Sequence, residues 1–317
     1  MKKLKIVFFG TPDFAVPSLE AIIAAGHQVV AVVTGVDKPA GRGKHLMQSA
    51  VKQAALRHNI PVLQPEKLKD EAFVSKLREL AADLFVVIAF RMLPEVVWTM
   101  PPMGTFNLHA SLLPRYRGAA PINRAIMNGD TETGVTTFFL KHEIDTGDVI
   151  ARERIEIDED DDAGTVHDRL MELGARLTAQ TVNDIAAGTV SPVPQNEILN
   201  CEPSPAPKIF KDTCHIDWNR PARQVRNHIR GLAPYPAAWT QMEADGQPAG
   251  TMKIFAGKVT DIKAEAPGRV HLTADGRMIV DCSDFDLEIT SLQPQGKRRM
   301  DTADYLRGCR FKSIQFS

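Results

Sequence analysis

The 317-residue chain is 44% hydrophobic and 24% charged, with a formal net charge of −1. That balance excludes a disordered or fibrous chain, and the length suits two domains, each large enough to bury an apolar core. The near-zero net charge speaks against a uniformly basic nucleic-acid binder, yet the halves differ: residues 206–317 hold 17 Lys+Arg against 13 Asp+Glu, leaving an acidic excess before them.

The basic start Met1-Lys-Lys-Leu-Lys is followed by an apolar stretch at 6–9 that soon meets Pro12 and Asp13. This is too short for a secretory signal, and no apolar run approaches the roughly 20 residues of a membrane helix. Cys201, Cys214, Cys282 and Cys309 form no Cys-x-x-Cys pair, so reduced thiols and a cytoplasmic protein with no metal site are expected.

An apolar run at 4–9 ends at Gly10, after which Val16, Leu19, Ile22 and Ile23 share one helical face within 13–25. With the β-branched run at 28–34, the opening reads β-α-β. Helical patterns follow at about 49–58 and 70–82, and strands at 84–89, 106–110 and 135–140. Alternation of this kind predicts an α/β fold with a doubly wound, mostly parallel, Rossmann-like sheet and a site at the strand carboxyl ends. From 162 to 187 the pattern is helical, with Val166, Leu170, Leu173 and Leu177 on one face. The prolines at 192, 194, 203, 205 and 207 then suggest an interdomain linker over 189–207, separating a domain at 1–188 from one at 208–317. The second domain shows a helical pattern at 220–230 and short alternating runs near 251–260, 269–273, 277–281 and 285–291, the mark of a small β-barrel or sandwich.

The residues that suggest chemistry lie in Gly104-Thr-Phe-Asn-Leu-His-Ala-Ser-Leu-Leu-Pro-Arg-Tyr-Arg-Gly-Ala-Ala-Pro121 and Glu143-Ile-Asp-Thr-Gly-Asp148. Asn107 and His109 are two apart, so on a strand they share a face where a plain core strand would carry Val or Ile. A carboxamide, an imidazole and the carboxylate of Asp145 suit oxyanion stabilisation and proton transfer. The same residues also fit a satisfied buried amide, a core histidine and a turn-forming aspartate. Ser111 shares the parity of His109, and its hydroxyl can serve either the site or the following loop. Neither Gly-x-Gly-x-x-Gly nor Gly-x-x-x-x-Gly-Lys occurs, which leaves a nucleotide cofactor without support.

Residues 38–65 contain Lys38, Arg42, Lys44, Lys52 and Arg57 and no carboxylate, which fits either a mobile solvated loop or a basic grip on RNA. Lys208, Lys211, Lys297, Arg298 and Arg299 are phosphate candidates in the second domain. Trp218, Tyr235 and Trp239 could stack on bases, although burial in a barrel core is the commoner use of such residues.

The 104–121 and 143–148 segments resemble the signature of the folate-dependent formyltransferases. Phe9-Gly-Thr-Pro-Asp-Phe14, Asp37-Lys-Pro-Ala-Gly-Arg-Gly-Lys44 and Gln293-Pro-Gln-Gly-Lys297 extend the resemblance along nearly the whole chain, toward the tRNA-acting members. The resemblance implies that 10-formyltetrahydrofolate is the co-substrate, that no metal takes part, and that the acceptor is the α-amine of methionine on initiator tRNA. It also implies an oligonucleotide-binding (OB)-like barrel in the second domain, and a monomer is expected. By the same resemblance Asn107 and His109 contact the formyl group, and Asp145 pairs with His109. Phe90, Arg91, Met92 and Leu93, with Ser111, Leu112, Leu113, Pro114 and Ile144, are then expected around the folate. Many members read Ala-Tyr-Gly where this chain has Ala89-Phe-Arg, and the segment before Pro94 is one residue shorter here. Thr11, Pro12, Lys38, Arg42, Lys44 and Arg117 are expected beside the acceptor, and Lys208, Lys211, Lys297, Arg298 and Arg299 beside the tRNA body. A sugar-nucleotide formyltransferase, a formyltetrahydrofolate hydrolase and an inactive RNA-binding protein of the same fold are the alternatives.

Overall fold

A computed structural model describes residues 2–40, 45–198, 201–311 and 313–317. The chain forms two compact units: Met1–Gly118, Thr133–Ile155 and His167–Pro205 make the first, and Ala119–Glu132, Glu156–Val166 and Ala206–Ser317 the second. No helix among the described residues is long and apolar enough to cross a membrane.

The first unit is built on a seven-stranded sheet. Its strands are β1 (Lys5–Gly10), β2 (Gln28–Val33), β3 (Val62–Leu63), β4 (Leu84–Ile88), β5 (Thr105–His109), β6 (Glu132–Phe139) and β7 (Val149–Glu156). Their spatial order is β7-β6-β5-β4-β1-β2-β3. Pairing is parallel from β3 through β5, and β6 runs antiparallel to β5. The unbroken apolar runs of β1 and β4 are what central parallel strands need, since both faces are covered. On one face Val7, Phe9, Phe85 and Val87 form a core with Phe73, Val74 and Leu77 of helix α3 (Glu71–Glu79). Its start is capped by Asp70, whose carboxylate accepts from the Phe73 N–H at 3.2 Å. Helices α1 (Val16–Ala24) and α2 (Ala50–Arg57) complete the opening crossovers, α2 being capped by Ser49. The long helix α4 (Ala163–Ala187) bonds β6 through Thr181 and Thr137 at 2.9 Å.

Strand β7 lies where the sequence shows no β pattern. Its alternating Arg152, Glu153 and Arg154 hide the β pattern, and they suit an edge strand that must discourage further pairing. The segment expected as a linker also makes specific contacts in the first unit: Val193 pairs with Val149 through reciprocal 2.8 Å backbone bonds.

The second unit holds a closed antiparallel barrel of six strands: β8 (Ala238–Ala244), β9 (Gln247–Lys263), β10 (Arg269–Leu272), β11 (Met278–Asp281), β12 (Phe285–Pro294) and β14 (Ile314–Phe316), with β13 (Met300–Asp301) added at β12. Closure comes from β9 pairing with both β8 and β12. Register shifts along the β9–β12 ladder provide the bend that closure requires. At Gly257 a Cβ would lie 2.9 Å from the Glu288 carbonyl, so only glycine lets the strands approach there. Helix α5 (Ala222–Leu232) places Ala222, Val225, Ile229 and Leu232 in the barrel core with Met252, Ile254, Leu287 and Phe316.

Candidate active site

Three chain segments meet at the carboxyl end of the sheet: the turn after β5, the connection between β6 and β7, and the proline-rich segment near 195. Register places Asn107 opposite Phe138 and His109 opposite Thr136, so both functional side chains stand on the face that carries Phe9 and Val87. Asn107 is half-buried, and its carboxamide has no hydrogen-bond partner among the described residues. His109 is buried, with its ring edge-on to Phe138.

The two nitrogens of His109 face different groups. Nε2 lies 2.8 Å from the Tyr116 carbonyl. A carbonyl can only accept, so Nε2 carries a proton and Nδ1 is the basic nitrogen of the neutral ring. Nδ1 lies 3.8 Å from Asp145 Oδ2, longer than a hydrogen bond but with the carboxylate facing the basic nitrogen. Oδ2 also accepts from the Gly118 N–H at 2.8 Å, which fixes the carboxylate.

Three of the seven described non-glycine residues with positive φ lie here. Ala89, Tyr116 and Asp145 have φ values of 46°, 60° and 56°, a region that non-glycine residues seldom occupy. Such conformations persist where the surroundings over-determine them. Gly147 shows what determines the Asp145 turn, since a Cβ there would fall 1.6 Å from the Phe139 carbonyl oxygen. The glycine of Asp145-Thr-Gly147 is therefore a requirement of packing.

Gln195 is the residue that sequence reasoning missed. Its buried amide donates to the carbonyls of Asp145 and Gly147, each at 2.9 Å. Its carbonyl oxygen accepts from Arg117 Nε at 3.0 Å and Nη2 at 2.7 Å. One side chain thus holds the Asp145 turn and aims the Arg117 guanidinium. Nothing local in a polar, proline-rich run marks one glutamine out.

The residues expected around the folate fall into two groups. Met92 and Ile144 are strongly exposed, and Arg91 donates to the carbonyls of Glu66 and Pro65. Phe90 packs edge-on against Phe9, and Leu93 joins the same core. Ser111 is fully buried, and its hydroxyl donates to the Arg115 carbonyl at 2.6 Å, so it serves the loop. Leu112 is half-buried and Pro114 buried, while Leu113 packs with Phe138 and Val149. Thr136 pins this turn, donating to the Ser111 carbonyl and accepting from the Leu113 N–H.

Among the residues expected beside the acceptor, Thr11 accepts from the Gly35 N–H at 3.3 Å, and Pro12 and Lys38 are exposed. Arg42 and Lys44 lie outside the described residues. Two cations of the 38–65 segment are neutralised from outside it: Lys52 pairs with Asp37 at 2.5 Å and Arg57 with Glu20 at 3.3 Å. The Lys52 hydrogen bond, joined by that from Gln64, holds the Asp37 carboxyl below its usual range. In the second unit Lys208, Lys211, Lys297, Arg298 and Arg299 are all exposed. Lys208 lies over Phe210 and Lys211 over Trp239, whereas Arg299 lies 4.4 Å from the centre of the Phe255 ring.

Residues 4–182 match the formyl transferase model, and residues 208–310 match the model for the formyl transferase C-terminal domain. The methionyl-tRNA formyltransferase of Bacteroides fragilis is 55% identical over 97% of this chain and 96% of its own length. That of Parabacteroides distasonis is 54% identical over 99% of this chain and 98% of its own. Among solved structures, the N-formyltransferase from Helicobacter canadensis in complex with folinic acid and dTDP-3-aminofucose superposes with a TM-score of 0.63 at 20% identity, covering 90% of this chain and 98% of that one, and shares the fold. With both of its domains matched and relatives this similar over nearly their whole length, the chain belongs to the formyl transferase family.

Proposed function

We propose that this protein moves the formyl group of 10-formyltetrahydrofolate to the α-amine of methionine on initiator tRNA, in the cytoplasm and as a monomer. The observation that carries the mechanism is the shared face of Asn107 and His109 with Asp145 at 3.8 Å from the basic ring nitrogen. The amine attacks the formyl carbon, and the carbonyl oxygen takes the electron pair. The unpartnered Asn107 amide donates to that oxygen, an interaction strongest when its charge is fully developed. His109 Nδ1 takes a proton from the attacking nitrogen, and the Asp145 carboxylate stabilises the imidazolium so formed. Collapse of the intermediate breaks the bond from carbon to N10 and restores the carbonyl. A proton delivered to N10 balances the one removed from the amine.

In this reading Phe90, Arg91, Met92 and Ile144 border the folate. Thr11, Pro12, Lys38, Arg42, Lys44 and Arg117 serve the acceptor end. Arg117 is suited to an anionic or carbonyl group, because Gln195 holds it from one side while Nη1 has no partner among the described residues. Lys208, Lys211 and the 297–299 cluster hold phosphates of the tRNA body.

A three-arm assay tests the proposal: purified protein with 10-formyltetrahydrofolate and methionyl-tRNA, a 4-amino sugar nucleotide, or water alone as acceptor. Formyl transfer to methionyl-tRNA well above the other two arms is expected. Preference for the sugar nucleotide, or donor hydrolysis undiminished by tRNA, overturns it.

A further inference from the structure

The three aromatic residues of the second unit that the sequence marks as candidates for base stacking, Trp218, Tyr235 and Trp239, have separate fates. Trp218 is buried, stacks on Phe316 and donates to Thr240 Oγ1 at 3.0 Å. Trp239 is half-buried and donates to the Lys211 carbonyl at 3.0 Å. Tyr235 is 83% exposed, the most exposed of the large apolar side chains among the described residues.

Lone exposed apolar side chains are ordinary, so exposure alone means little. The setting of Tyr235 is distinctive. On either side of its turn, Ala233 and Ala237 are almost fully buried and pack with Phe255. The Ala233 carbonyl accepts from Gly164 at 3.2 Å, and the Ala237 N–H donates to Leu232 at 2.9 Å. Exposed Lys253 donates from Nζ to the Pro236 carbonyl at 3.2 Å, one residue from the tyrosine. Arg299 covers Phe255, the ring beneath the turn, and donates to Ser291 at 2.9 Å. A ring on an anchored backbone, with two cations fixed beside its pedestal, carries the parts of a single-strand nucleic-acid contact: a π face for a base and charges for the flanking phosphates.

We propose that Tyr235 stacks on an unpaired base of the tRNA, with Lys253 and Arg299 engaging adjacent phosphates. An unpaired base is required because paired bases in a helix interior offer no free face. The inference rests on the tRNA-acceptor reading above, and it deepens that reading by assigning a contact in the second unit that is not ionic.

The test measures binding of methionyl-tRNA and of a blunt RNA duplex without unpaired nucleotides, at several salt concentrations. Tyr235→Ala should weaken methionyl-tRNA binding by roughly tenfold or more, leaving its salt slope and duplex binding unchanged. Tyr235→Phe and Tyr235→Trp should bind as the parent does, because they keep a π face. Lys253→Ala should lower the salt slope by about one. Hydrolysis of the folate donor should be the same in all four variants, which guards against a general loss of fold. Parent-like tRNA binding by Tyr235→Ala, or equal weakening toward tRNA and duplex, overturns the stacking role. A parent protein that binds no tRNA at all overturns the acceptor reading itself, and this inference with it.

Discussion

At the residue scale, His109 shows how a tautomer is chosen by a backbone carbonyl. The bond from Nε2 to Tyr116 leaves Nδ1 as the base, and the charge of Asp145 stands 3.8 Å from it. Asp145→Asn can keep the bond from the Gly118 N–H but loses the charge, so it separates electrostatic support from positioning. Asn107→Ala, His109→Ala and Asp145→Asn should each reduce turnover by roughly a hundredfold with the circular dichroism spectrum unchanged. If the three act as one unit, the triple variant should be little worse than His109→Ala. Near-parental turnover in any single variant removes that residue from the mechanism.

At the scale of elements, the geometry of the candidate site is an agreement between a strand and two loops. Strand β5 sets the spacing of Asn107 and His109, while the Asp145 turn is held through Gly147 and Gln195. Gln195→Ala leaves two carbonyls and a guanidinium without their partner, each loss worth about 1–3 kcal/mol where the group stays dry. Turnover should fall by roughly tenfold, with a lower melting temperature. Gln195→Glu keeps an acceptor for Arg117 but sets a carboxylate against the carbonyls of Asp145 and Gly147, so its turnover should be lower than that of Gln195→Ala. Equal turnover of Gln195→Glu and parent would show that the amide donors do not hold the loop.

At the scale of the whole molecule, charge acts through solubility, substrate attraction and pH. Burial, outweighing a backbone bond at Cys214 and aided by the charges of Arg220 and Arg124, pushes His228 down to about 4. Its Nε2 is buried with no hydrogen-bond partner among the described residues. Between the ordinary histidine value and about 4, the unfolded chain binds a proton that the folded chain refuses, so stability falls as pH drops through that window. The loss from this one group is roughly 2–3 kcal/mol by pH 4. His228→Leu should flatten the fall in thermal stability between pH 7 and pH 4, and an unchanged slope would assign the acid sensitivity to other groups. The proposed function gives the exposed cations at 297–299 a different role, as contacts to RNA phosphates. Replacing Lys297, Arg298 and Arg299 by alanine should weaken many tRNAs alike and flatten the dependence of affinity on salt. Retention of the parental affinity and slope would make this cluster ordinary solvated surface.

Features that depend on neighbours along the chain are legible in the amino-acid sequence. The apolar runs of β1 and β4, the stripe on α5 and the Asn-x-His parity of β5 each reflect a local repeat, and local repeats are legible in one dimension. The charged edge strand β7 was hidden because its burial pattern depends on a position at the sheet margin, which no local signal reports. Only tertiary structure brought Asp145 to His109 and Gln195 to both Asp145 and Arg117, since those meetings depend on how crossovers and loops return to the same sheet end. It alone decided that Ser111 serves its own loop, and that of three aromatic residues Tyr235 is the one turned outward. Composition lists which side chains can do chemistry; the packing of distant segments decides which are left with a free face to do it.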